Sequence, residues 1–278
     1  IKNIYIENSL VLNEDEASSG LGTISSVLKS STIRGCSVDA IVIGKGNDVG
    51  GVVGKMVEKS AVRDSRNLGN VFGGTNVGGV AGAMDTSTAS GCYNAGDVCG
   101  ERYVGGLAGY MLESYAGSSY NIGDVKVTER TAGGFAGCLE KTSPSSCYTA
   151  GKVEGAGTGA FCGEFIGDFF DMFDMYCCDY IGDSIMDFDA GGDVYYMYLL
   201  YQEYGNRIMY PPGSYYPAVV YTLSVYPRTE ARLKSKDISI SSAFVYDAAN
   251  ENEGYPMMKY FHKEHTFSDY VANQDGTV

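Results

Sequence analysis

Apolar positions along this chain occur in short runs that are separated by glycine, asparagine and aspartate. The runs show no 3.6-residue period, so they do not predict amphipathic helices. Short apolar runs between such residues are typical of β-strands that are joined by turns. The pattern therefore predicts an all-β protein.

One glycine-rich phrase recurs through the middle of the chain. A well-kept copy reads Val-Gly-Gly-Val-Ala-Gly. The copies are Val49–Gly54, Val77–Gly82, Val104–Gly109, Ala132–Gly137 and a divergent Thr158–Gly163. Successive copies begin 28, 27, 28 and 26 residues apart. A constant period of this kind is the sequence signature of a repeat architecture.

A second phrase, Tyr-Asn-Ala-Gly-Asp-Val, keeps the same period. Its copies are Arg66–Val71, Tyr93–Val98, Tyr120–Val125 and Tyr148–Val153, with Tyr180–Gly182 as a decayed fifth. A unit of about 27 residues can hold two or three short strands and their turns. Stacked coils would place equivalent residues about 4.8 Å apart, each coil completing the core of its neighbour.

These observations predict a right-handed parallel β-helix, because parallel β crossovers are overwhelmingly right-handed. Propeller blades need about 40 or more residues, and leucine-rich repeats need their own consensus, so neither fits the period. In stacked coils Asn67, Asn94 and Asn121 would lie one above another and form a ladder of amide hydrogen bonds.

Glycine is unusually frequent, with 38 residues and no collagen-like period. The paired glycines suit a corner where φ is positive or where two backbones approach closely. These pairs are Gly50 and Gly51, Gly78 and Gly79, Gly105 and Gly106, and Gly133 and Gly134. The glycine two residues after each ladder asparagine is expected to take the left-handed turn conformation.

The double phrase resembles the GLUG motif, a glycine-rich repeat of bacterial surface proteins. That family includes filamentous-haemagglutinin-like adhesins and the non-catalytic regions of IgA-specific metallopeptidases. The best matches are Val77–Val98 and Val104–Val125, and Gly254-Tyr255-Pro256 is similar to the closing "GYP" strand of such domains. The resemblance implies display at the cell surface, with a role in adhesion or spacing.

The chain is expected to form one β-helix domain over residues 1–278. Its parts are N-terminal coils at 1–48, GLUG-like repeats at 49–163, an irregular acidic and tyrosine-rich section at 164–226, and a C-terminal cap at 227–278. The chain begins at Ile1 without a signal peptide, which is typical of a processed fragment. No apolar run is long enough to span a bilayer.

The formal net charge of −14 argues against nucleic acid as a partner, because phosphates require a basic face. Between Val153 and Asn206 there are eleven Asp or Glu and no Lys or Arg. This distribution is typical of an extracellular surface. The eight cysteines include no CxxC pair, and both free buried thiols and disulfides remain open.

Two candidate sites fall in the irregular section. Asp187, Asp189 and Asp193 surround a Gly-Gly turn and could bind calcium, although solvated, turn-forming aspartates are the favoured explanation of these residues. No other cofactor is expected. Tyrosines in the same section could bind a glycan or a protein, or cover the end of the solenoid. The tyrosine candidates are Tyr195, Tyr196, Tyr198, Tyr215 and Tyr216.

Catalysis is not expected. His262 and His265 lack the HExxH spacing of zinc peptidases. The rival hypothesis is a β-helix lyase or hydrolase acting on polysaccharide, which would use the acidic section with Arg207 as its nearest basic residue. The sequence favours a non-enzymatic adhesion or structural module, secreted or at the bacterial surface, with an extracellular glycan or protein as its ligand.

Overall fold

The computed structural model describes residues 1–142, 144–166, 230–236 and 240–262, together with the backbone of short strands at 178–180, 207–208, 221–222 and 225–227. Up to residue 166 the chain winds into a parallel β-solenoid of about six coils. The parallel solenoid predicted from the two repeated phrases is therefore confirmed.

Four parallel sheets form the walls of the coils. Sheet 1 contains Thr32–Arg34, Ala61–Arg63, Thr88–Ser90 and Tyr115–Gly117. Sheet 2 contains Tyr5–Asn13, Ser37–Gly44, Arg66–Asn67, Val71–Phe72, Tyr93–Asn94, Val98–Gly100, Tyr120–Asn121, Val125–Val127, Tyr148–Thr149, Val153–Glu154, Cys178–Tyr180 and Val225–Pro227. Sheet 3 contains Ser19–Gly22, Asn47–Gly50, Thr75–Gly78, Arg102–Gly105, Ala132–Gly133 and Thr158–Gly159. Sheet 4 contains Ser25–Lys29, Val53–Val57, Ala81–Asp85, Ala108–Leu112, Ala136–Glu140 and Cys162–Ile166.

The remaining elements are small. Two antiparallel pairs join Arg207–Ile208 to Tyr221–Thr222 and Phe244–Val245 to Met257–Met258. Two four-residue helices span Glu230–Leu233 and Lys259–His262.

Equivalent residues of successive coils pair directly in the sheets. Val77 pairs with Val49 on one side and with Val104 on the other, and Val104 pairs with Ala132. These positions form one column of the interior, as the sequence predicts. Because backbone hydrogen bonds run from coil to coil, each column repeats at the spacing of neighbouring strands.

The centre of the solenoid is filled by columns of apolar side chains. One column increases in size along the chain. Its buried members are Val52, Val80, Leu107, Phe135 and Phe161. The rings of Phe135 and Phe161 stack with their centroids 4.9 Å apart. Burial of each such side chain contributes about 1.5–3 kcal/mol, and this stabilisation accumulates along the stack.

A buried ladder of amides runs beside the apolar columns. Asn67 Nδ2 donates to Asn94 Oδ1 at 2.8 Å, and Asn94 Nδ2 donates to Asn121 Oδ1 at 2.8 Å. Each Nδ2 also donates to the carbonyl oxygen of the glycine two residues later. Among the described residues, nothing donates to Asn67 Oδ1 at one end, and Thr149 Oγ1 has no hydrogen-bond partner at the other.

The paired glycines allow close packing between backbones and with the ladder. A Cβ at Gly78 would lie 2.1 Å from Ala81 O, and a Cβ at Gly79 would lie 2.2 Å from Asn94 Cγ. None of the eight paired glycines has a positive φ. Close approach, and not turn conformation, is therefore the reason for glycine at these positions.

The expectation of left-handed glycines after the ladder asparagines is wrong. Gly69, Gly96 and Gly123 do not have positive φ. A Cβ at Gly96 would instead lie 2.1 Å from Gly69 O in the preceding coil. The glycine is required because the asparagine turn presses against the coil below it.

The described cysteines are free thiols. Three of them belong to an inner column that alternates cysteine and serine. The column contains Cys36, Ser65, Cys92, Ser119 and Cys147, all of them buried. The hydroxyl of Ser65 accepts a hydrogen bond from the backbone N–H of Cys36 at 3.1 Å, and Ser119 does the same for Cys92. Serine therefore bonds to the backbone of the preceding coil at this corner.

Candidate functional site

The ligand and metal residues predicted in the irregular section lie outside the described residues. They are Tyr195, Tyr196, Tyr198, Tyr215, Tyr216, Asp187, Asp189 and Asp193. In the part of the chain that the structure describes, no group of three His, Cys, Asp or Glu side chains could hold a metal ion. No helix there has the length and apolar character needed to cross a bilayer.

A column of tyrosines lies on the outer face of sheet 2. The rings of Tyr93, Tyr120 and Tyr148 stack with centroids 4.7 Å apart and interplanar angles of 4° and 5°. Each tyrosine precedes the inward-pointing residue of its strand and therefore points outward. All three side chains are nevertheless buried.

The described C-terminal residues cover this column. We call residues 230–236 and 240–262 the flank segment. Its apolar residues pack against the tyrosines, and those that are buried are Leu233, Ile240, Phe244, Tyr255 and Met258. The ring of Phe244 lies edge-on to Tyr120 and Tyr148, at centroid distances of 6.1 and 5.6 Å. The described part of the segment expected to cap the solenoid thus lies along the side of three coils.

Polar contacts attach the flank segment to the same tyrosines. The hydroxyl of Tyr120 donates to Asn252 Oδ1 at 3.2 Å, and Asn252 Nδ2 donates to the hydroxyl of Tyr148 at 3.3 Å. Asp247 accepts backbone N–H groups from Glu251, Asn252 and Gly254 and fixes the loop that carries Asn252. Burial raises the pKa of Tyr120 and Tyr148 well above the usual value, so both hydroxyls keep their protons and can donate.

Arg66 occupies the position of the column where later coils have tyrosine. Its Nε donates to Ser37 Oγ at 2.8 Å and its Nη1 donates to the Tyr93 hydroxyl at 3.1 Å. The guanidinium carbon lies 5.5 Å from the centroid of the Phe261 ring. None of the ion pairs of the described residues includes Arg66.

A cavity of about 270 Å³ lies between this arginine and the flank segment. We call it the Arg66 cavity. Its walls include four aromatic side chains beside polar and small residues, and Glu251 contributes the acidic group of the lining. The lining also includes Arg66, Tyr5, Tyr93, Met257, Tyr260 and Phe261. The cavity combines several aromatic rings with one positive charge, which is an arrangement suited to a small organic anion.

A second feature lies on the outer face of sheet 2 in the first coils. Leu10 pairs with Ile41, Leu12 pairs with Ile43, and Ile43 pairs with Phe72. We call these five residues the apolar strip. Leu10 is 63% exposed and Leu12 is 54% exposed, while Ile41 and Phe72 are also exposed. Beside the strip is an open groove of about 620 Å³, lined in part by Glu16, Lys45 and Glu101.

Three of the buried thiols, Cys92, Cys138 and Cys162, are poor nucleophiles. Burial raises the pKa of Cys92 and of Cys162 to about 12. It also raises the pKa of Cys138, to which nearby acidic groups contribute. Since the thiolate is the reactive form, these sulfurs remain protonated and unreactive near neutral pH.

The sequence identified neither Arg66 nor the apolar strip as a candidate site, and the two differ in what the sequence showed. A signal was present for Arg66, because Arg66-Asn67 is the copy of the second phrase in which arginine replaces tyrosine. No protein-family model, curated protein or solved structure matches the chain. Hypotheses about its function therefore depend on the geometry described above and on the resemblance of its repeats.

Proposed function

We propose that this protein is a non-enzymatic adhesion module, secreted or displayed at a bacterial surface, whose apolar strip binds another protein. The β-solenoid serves as the rigid support for that surface. The resemblance of the repeats to the GLUG motif supports this placement, because proteins with that motif are found at bacterial surfaces.

The apolar strip is the observation that carries the proposal. Contiguous apolar side chains on the surface of a soluble protein mark interaction sites more often than isolated ones do. The strip lies on strands that are hydrogen-bonded within sheet 2, so its shape is fixed before binding and little conformational entropy is lost.

The chemistry of the strip favours a protein over a glycan as the ligand. Four of its five residues are aliphatic, whereas sugar rings stack best on flat aromatic faces. The neighbouring groove carries both signs of charge, from Lys45, Glu16 and Glu101. An apolar centre with a polar, charged rim is the usual anatomy of a protein–protein interface.

A binding experiment on the full chain tests the proposal. We would compare the native protein with the variant Leu10→Ser with Ile41→Ser on an array of extracellular-matrix proteins and glycans. The matched control is Val27→Ser, since Val27 is 49% exposed on a different sheet. We expect binding to one or more matrix proteins that the double variant loses and the control keeps. Equal binding by the double variant, or no protein binding at all, would contradict the proposal.

A polysaccharide-acting enzyme is the rival function, and the observation that favours it is the open groove, which is a different location from the acidic section that the sequence suggested. Glu16 and Glu101 supply carboxyl groups and Lys45 a cation, the residue types that glycoside cleavage or β-elimination of polyuronates requires. Incubation with polyuronates and neutral polysaccharides, followed by assay of reducing ends and unsaturated products, distinguishes the two functions. Product that disappears in Glu101→Gln would favour the enzyme.

A further inference from the structure

We infer that the Arg66 cavity is a binding site for the carboxylate group of a small organic acid. The inference is independent of the apolar strip, which lies on a different part of sheet 2. It rests on the charge of Arg66, the hydrogen bonds that hold its side chain, and the residues that enclose it.

The guanidinium group is held in place but is not neutralised. Arginine has five N–H donors, and the contacts with Ser37 and Tyr93 use two of them. The other three have no acceptor among the described residues. An arginine that is partly enclosed and lacks an acidic partner is unusual, because enclosed charges are normally paired. A carboxylate that accepts two parallel N–H bonds would complete the arrangement.

The residues that line the cavity indicate the chemical character of the part of the ligand that carries the carboxylate. Tyr5, Tyr260 and Phe261 offer aromatic surface, and Met257 adds a polarisable apolar contact. Such walls fit a compact ring or a short aliphatic acid. A polymer would not be enclosed by about 270 Å³ except through one terminal residue.

The electrostatics favour a single negative charge. One guanidinium balances one carboxylate, while Glu251 in the same lining and the net charge of −14 oppose a dianion such as phosphate. A sugar acid and the carboxyl terminus of a peptide both present this chemistry, and the test includes a probe for each.

The position of Arg66 in the column provides a conservative variant. Arg66→Tyr would introduce the residue found in the next three coils and would extend the tyrosine stack by one ring. We expect this variant to fold while removing the charge. Arg63→Gln is the matched control, because Arg63 lies on the same coil and is exposed. Its Nη1 donates a hydrogen bond to Ser90 Oγ, and Arg63 does not line the cavity.

The experiment is calorimetric titration of the full chain with glucuronate, N-acetylglycine, glucose and inorganic phosphate. We expect at least one carboxylate to bind, glucose and phosphate to bind more weakly, and Arg66→Tyr to weaken carboxylate binding roughly ten- to a hundred-fold. Arg63→Gln should bind as the native protein does. Glucuronate binding alone would identify a sugar acid, and N-acetylglycine binding alone a peptide terminus.

Three results would overturn the inference. They are the absence of binding by both carboxylates at millimolar concentration, undiminished binding by a folded Arg66→Tyr, and tighter binding of phosphate than of either carboxylate. If Arg66→Tyr does not fold, as judged by circular dichroism, Arg66→Gln takes its place and must show the same loss.

Discussion

A methyl group added at Gly79 would lie 2.2 Å from Cγ of Asn94, well inside van der Waals contact. The same relationship joins Gly51 to Asn67 and Gly106 to Asn121, at 2.5 and 2.2 Å. The second glycine of each pair therefore makes room for the buried amide of its coil. This contact explains why the two repeated phrases of the sequence keep one common period.

Gly79→Ala is expected to lower the free energy of unfolding by at least about 2 kcal/mol, as overpacking of a rigid core does. The added methyl would also meet Gly106 O at 2.3 Å, and a backbone atom cannot move aside alone. Gly44→Ala is the control, since its methyl would meet side-chain atoms of Leu21 and Val49 at 2.9 Å. Urea unfolding followed by circular dichroism should show the larger loss in Gly79→Ala.

Substitution in the interior of the amide ladder should lower the stability of the protein, whereas substitution at its end should not. Asn94→Ala removes the acceptor of Asn67 and the donor to Asn121, and we expect it to cost about 3 kcal/mol or more. Thr149→Val replaces a buried hydroxyl without a described partner by a methyl group of similar size. This change should be neutral or stabilise the protein by up to about 1 kcal/mol. A large loss of stability in Thr149→Val would show that its hydroxyl is bonded.

Attachment of the flank segment should depend on its contacts with the tyrosine column. We expect Phe244→Ala to release the segment while the coils stay folded, because its ring packs on Tyr120 and Tyr148. Faster proteolysis within the segment and a weaker near-ultraviolet dichroism of the tyrosines would report the release. Tyr246→Ala, in the same segment but 45% exposed, is the control and should behave as the native protein. Loss of all β-structure in Phe244→Ala would refute independent release.

Stability should fall at alkaline pH. The pKa of the Cys92 thiol is raised by burial from 9.0 to about 12, so the unfolded chain loses this proton at lower pH than the folded protein does. The contribution of this protonated thiol to the free energy of unfolding is fully present below pH 9. It declines by about 1.4 kcal/mol per pH unit as pH rises from 9 toward 12. The buried tyrosines add to the same trend at higher pH. Cys92→Ser should show a shallower decline in denaturant titrations across this range.

The sequence predicts the solenoid well because its repeated phrases encode the coil directly. Equivalent residues such as Val77 and Val104 must stack once the period is known, and the amide ladder follows from the same register. The conformation of Gly96 was less predictable, since a positive φ and a close backbone contact both demand glycine.

The candidate sites were harder to predict than the coil. The significance of Arg66 depends on the flank segment, which begins more than a hundred residues later and has no repeat to place it. The apolar strip combines residues of three strands, and only their register brings Leu12, Ile43 and Phe72 together. The tyrosine and aspartate candidates between residues 187 and 216 stay predictions.

The alternation of Cys36, Ser65, Cys92, Ser119 and Cys147 has a consequence for maturation of the protein. Sulfur atoms recur only at every second coil, which separates their Cα atoms by roughly 9–10 Å, beyond the span that a disulfide can bridge. A serine thus separates each pair of successive thiols in the column. Stacking of this column therefore requires no disulfide, and its thiols are held too far apart to oxidise to one another.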